Sequence, residues 1–93
     1  MRALTRDEFD GREGETFELD LDGRTIDITL TKTYALPDSG RDGGAFVLEW
    51  LGPYEPVLPQ AIFTFRDKQG EFEMFIVAIG RDRAGTRYEA VFN

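Results

Sequence analysis

The chain contains no cysteine and no histidine. Without thiols there is no disulfide framework and no thiolate chemistry. Without imidazole, the usual neutral-pH general base is missing, together with the commonest ligand for zinc, copper or non-haem iron. Ser–His–Asp and Cys–His machinery is excluded, as are zinc sites built on Cys or His. Any chemistry would fall to carboxylates, Lys, Tyr and hydroxyls, so the chain reads as non-enzymatic, with no cofactor and no metal. Long apolar runs are also absent. No stretch approaches the ~20 residues that span a bilayer, and the first residues lack the apolar core of a signal peptide. The expectation is a cytoplasmic protein with no membrane partner, release as part of an assembly remaining open. Positive charge is scarce: 11 basic against 18 acidic residues give a net charge of −7. A phosphate backbone is repelled at long range, which argues against nucleic acid as a partner.

What is present is aromatic and β-branched. At 93 residues the chain is a single domain, 1–93, and its eight Phe, three Tyr and Trp50 supply the apolar area for a core without staples. Thr5-Arg6-Asp7-Glu8 has capping-box spacing, with Leu4 and Phe9 placed as a hydrophobic staple. It predicts a short helix ending near Asp10, stopped by Gly11 and Gly14 and closing one end of a sheet. From Glu15 the pattern turns to period two. Phe17, Leu19 and Leu21 alternate with acids, and after Asp22-Gly23 the alternation resumes at Ile26, Ile28 and Leu30. Two half-buried strands joined at Asp-Gly make a hairpin, the second running on to about Leu36.

The stretch 37–44 is the clearest loop, and it is followed by strands at 45–51, 61–66, 71–80 and 86–92. On the third of these Phe72, Met74, Ile76 and Ala78 form one row. The opposite row starts with Glu71 and Glu73 and continues as Phe75, Val77 and Ile79. That change predicts a strand that enters the core along its length, or one that carries a bulge. Six antiparallel strands in so short a chain close as a small barrel or a two-sheet sandwich. The fold class is therefore all-β: a compact six-stranded sandwich or partly open barrel, with one short N-terminal helix.

Several constellations merit weighing. Asp20, Asp22 and Asp27 resemble the opening of a calcium loop, but the sixth position is Thr25 and a tight hairpin accounts for Asp-Gly. Asp38 and Asp42 form a second oxygen-rich loop. Glu71 and Glu73, two apart on one strand face, could form an acid–base set with Glu49; charge on an exposed strand edge is the simpler reading. Of the four prolines, all but Pro37 lie within 53–59, between two strands. That loop is pre-ordered, so it can display a contact surface at little entropic cost. Trp50 keeps register with Phe46 and Leu48 and belongs to the core, whereas Tyr54 stands in the loop.

Leu4-Thr5 with Phe9, Gly14-Glu15-Thr16-Phe17, Gly52-Pro53, Leu58-Pro59-Gln60, Gly80 and the ending Arg87-Tyr88-Glu89-Ala90-Val91-Phe92-Asn93 together resemble a family of small bacterial domains of unknown function. The resemblance implies no activity and no catalytic residues. It implies a setting similar to that of phage-tail-like proteins, beside genes with collar-type domains. The functional expectation is contact with a protein partner or self-association, as a structural or accessory part of such an assembly. The residues expected to carry it are Pro53, Tyr54, Pro56, Leu58, Pro59, Gln60, Arg87 and Glu89, by a rigid surface, an added strand or a symmetric interface. The alternative is a small-ligand-binding barrel with a pocket near Trp50 and Tyr54.

Overall fold

A computed structural model describes residues 4–37 and 44–92. The loop carboxylates Asp38 and Asp42, and Asn93, lie outside the described residues. In chain order the elements are a 3-10 turn (Arg6–Glu8), β1 (Thr16–Leu21), β2 (Arg24–Ala35), β3 (Phe46–Gly52), β4 (Ala61–Asp67), β5 (Gly70–Asp82) and β6 (Gly85–Phe92). Every strand pair is antiparallel, in the order β1-β2-β3-β6-β5-β4, and β4 returns to β1 to close a barrel. The all-β reading holds, and of its two forms the barrel is the one adopted. Closure is uneven. The β1–β4 seam has only the register pairs Glu18–Arg66 and Leu19–Phe65, whereas β3 and β6 pair from Phe46–Phe92 through Gly52–Thr86.

Alternation decides what points inward. Phe17 and Leu19, Ile28 and Leu30, Phe46, Leu48 and Trp50, Phe65, Phe72, Met74 and Ile76, and Tyr88 and Ala90 are all buried in one core. Trp50 sits at its centre, edge-on to Phe17 at 5.0 Å and tilted against Phe65 at 4.9 Å. Phe65 stacks on Phe72 at 5.4 Å. Offset and edge-to-face rings fill a narrow barrel efficiently, and each removes a large apolar area from water.

The register of β2 shifts between Leu30 and Lys32, and that of β5 between Ala78 and Gly80. An extra residue at these points bends each long strand around the ring. For β5 this realises the bulge expected from its sequence. The companion expectation, that the row Phe75, Val77 and Ile79 enters the core, is corrected: Phe75 and Ile79 are exposed and Val77 is half-buried. A small barrel has one interior, and the row Phe72, Met74 and Ile76 already occupies it.

The N-terminal helix is also smaller than its spacing predicts. It is a three-residue 3-10 turn, and the Thr5 side chain makes no capping hydrogen bond. The reason is Phe9, which is drawn fully into the core, 5.7 Å from the ring of Phe72, 6.3 Å from Trp50 and 6.4 Å from Phe17. Gly11, at a φ of +80°, then turns the chain away before a second helical turn can form. Leu4 packs beside it, so the segment seals one end of the barrel as expected.

Candidate surface for protein contact

The opposite end is closed by the loop 53–60, which crosses the ends of β6 and β5 between β3 and β4. Its turns are set by prolines, and the Glu55–Pro56 peptide is cis. It is tied down at points from Pro53 to Leu58. The Thr86 N–H donates to the Pro53 carbonyl at 3.3 Å and the Thr86 hydroxyl to the Tyr54 carbonyl at 3.1 Å. The Leu58 N–H donates to the Tyr88 hydroxyl at 3.0 Å. Arg81 pairs with Glu55 at 3.2 Å and lays its guanidinium 3.6 Å over the Tyr54 ring. Gly52 gives the Tyr88 ring room here, because a Cβ would stand only 3.2 Å from it. At Gly85, a Cβ would collide with the Gly52 carbonyl oxygen. The strap is thus a fixed closure of the barrel.

The residues expected to carry function separate accordingly. Tyr54, Pro59 and Gln60 are exposed, and Pro53 and Pro56 are half-buried. Leu58 is buried in the core and anchors the strap instead of offering a surface. Trp50 is fully buried among phenylalanines, whereas Tyr54 is exposed. The hollow beside the strap is a shallow one, lined by Arg24, Glu55, Pro56, Val57 and Arg81.

Arg87 and Glu89 point outward but do not pair with each other. Arg87 reaches Asp82 at 3.1 Å. The Asp82 carboxyl is held below its usual range, first by the Ala84 N–H and then by Arg87. Glu89 lies directly opposite Glu49 across β6 and β3.

The acids suspected of catalysis do not converge. Glu71, together with Glu18 and Asp20, is spent on Arg66, with N–O distances of 2.7, 3.3 and 2.8 Å. Hydrogen bonds to Asp20, then Glu71, then Glu18 raise the Arg66 pKa further above its already high value. Glu49 belongs to β3, two strands away in the ring from Glu71 and Glu73 on β5. Asp20 is engaged by Arg66 rather than turned toward Asp22 and Asp27. Among the described residues no three acids are grouped to hold a metal.

The feature that reading strand by strand missed is an apolar row on the outside of the barrel. Tyr34 on β2 pairs with Val47 on β3, and Val47 pairs with Val91 on β6. The β5–β6 register at Val77–Glu89, carried two residues further, sets Phe75 level with Val91, and Phe75 pairs with Ile62 on β4. Ile62 is 63% exposed, Phe75 50%, Val91 47% and Tyr34 38%. Val47 is buried between its neighbours although it faces outward. The row crosses five neighbouring strands. The signal was present in the apolar outer row of β5, but it becomes a surface only once the strand order is known.

These features define a class: a closed, six-stranded antiparallel β-barrel domain with a plug at one end and a strap at the other. Residues 4–92 match the model of the family described as a domain of unknown function (DUF6916), and the chain belongs to that family. No curated protein and no solved structure is matched by the chain.

Proposed function

We propose that the chain is a non-enzymatic β-barrel module that works by protein–protein contact, through the outer face that spans β2, β3, β6, β5 and β4. The observation that carries this is the continuous apolar row from Tyr34 to Ile62. A contiguous exposed apolar band on a small acidic domain is costly to keep unless a partner covers it. Closure of the barrel also sets the mode of contact. Each strand has a neighbour on both sides, so a partner meets side chains face-on and does not extend the sheet as an added strand. The finer reading, an accessory or structural component of a phage-tail-like assembly, draws its support from the setting that the family resemblance implies.

The test is co-expression of the chain with the products of its flanking genes, followed by co-purification and light scattering. A stable complex is expected with the native chain and is expected to be lost with Phe75→Asp. Phe75 is half exposed, so this change should leave the melting curve within ~0.5 kcal/mol of the native one. A complex that survives both Phe75→Asp and Ile62→Asp, or a chain that stays free of every neighbour, would overturn the proposal.

A further inference from the structure

Deepening that reading, we infer that the partner presents an arginine or lysine ringed by aliphatic side chains, and that this cation seats between Glu49 and Glu89. The two glutamates are directly opposite one another across β3 and β6, on the outer face and one step along from the Val47–Val91 pair. Both are half-buried. Like charges set opposite each other in a sheet repel and weaken it.

Among the described residues no cation of the chain forms an ion pair with either glutamate. Four arginines are held by other carboxylates: Arg66 by Glu18, Asp20 and Glu71, Arg12 by Glu15 and Asp67, Arg81 by Glu55 and Arg87 by Asp82. Lys32 is the residue opposite Glu49 on β2, yet among the described residues neither glutamate has an ion pair. Around the pair stand Val47 and Val91 on one side, Leu51 and the Asp82-bound Arg87 on the other, and Val77 opposite Glu89. Two carboxylates bordered by Val47, Val91, Leu51 and Val77 match a cation carried on an apolar surface. Covering the frame would also exclude water from the charge pair and strengthen it.

A second copy of the chain is the poorer occupant. It would bring two more glutamates to the same place, on a molecule whose net charge is −7. Repulsion tolerated in the free protein and relieved on binding is the usual trade of stability for recognition.

The probe is a set of cyclic hairpin peptides that display valines around one central residue: arginine, lysine, glutamine or glutamate. Amide shifts of the isotope-labelled protein give both the site and the affinity. The arginine and lysine peptides should move Val47, Glu49, Val77, Glu89 and Val91. The glutamine peptide should bind at least about tenfold more weakly, and the glutamate peptide not at all. Raised salt should narrow the difference, and the double variant Glu49→Gln/Glu89→Gln should erase it.

Glu89→Lys supplies an independent arm. It should raise the melting temperature by about 1–5 °C by giving Glu49 a partner, while abolishing binding of the arginine peptide. Binding at this face that ignores the central charge would overturn the inferred partner chemistry and leave the contact surface standing. So would a concentration-dependent dimer that covers the face. Absence of binding by the arginine peptide, or an unchanged melt for Glu89→Lys, would equally sink it.

Discussion

Tyr88 keeps its ring in the core, against the position where Gly52 has no side chain, and sends its hydroxyl to the backbone of the strap. One side chain therefore joins the packing of the interior to the closure of the end. Tyr88→Phe preserves the ring and leaves the buried Leu58 N–H without its acceptor. We expect a loss of about 1–2 kcal/mol in urea unfolding, together with faster hydrogen exchange at the Leu58 amide. An unchanged exchange rate there would mean that the strap is held by its other bonds alone. The same pair of facts ties Gly52, Leu58 and Tyr88 together. They are parts of one joint, and their chemistry is structural.

Among the elements, the β1–β4 seam is the narrowest pairing and Arg66 spans it. Its guanidinium donates to Glu18 and Asp20 on β1 and to Glu71 on β5. Exposed ion pairs are weak singly, but here one planar group holds three strands in register. Arg66→Gln should lower the melting temperature, most at low salt, and should speed amide exchange at Leu19 and Phe65 while Leu48 and Ala90 stay protected. Uniform exchange across all four positions would show that the seam is not a separate unit of opening. The strands themselves were legible in the sequence to within a residue or two, because period-two alternation survives any tertiary arrangement. Which face of β5 is inside was not legible, since both faces carry apolar residues and only ring closure assigns them. The helix failed for a similar reason: capping spacing is a local signal, and the pull of Phe9 into the barrel is not. The exposure of Tyr54 and Gln60 could be read from their place among the prolines. The Glu49–Glu89 pairing could not, because it depends on a register between segments some forty residues apart.

Taken whole, the molecule is a ring with two unlike sides and two sealed ends. The seam bears Glu18, Asp20 and Glu71 around Arg66, and the apolar row runs around the other way from β2 to β4. At one end Phe9 is the seal, contributed by a segment that belongs to no strand. Phe9→Ala should cost about 3–5 kcal/mol in denaturant unfolding, a large share of the ~5–15 kcal/mol available to a small domain. A cost below ~1 kcal/mol would show that the barrel closes without it. The strand lengths carry a further consequence. β1, β2 and β3 have 6, 12 and 7 residues, and β4, β5 and β6 have 7, 13 and 8, with the bend in the long middle strand each time. The barrel is thus two three-stranded leaves of like design, bound like a book along the broad β3–β6 spine and clasped by Arg66 at the fore-edge. Opening that starts at the narrow seam would swing the leaves about that spine. Val47, Val91, Glu49 and Glu89 all lie on it, so a partner would grip the line of the molecule that moves least.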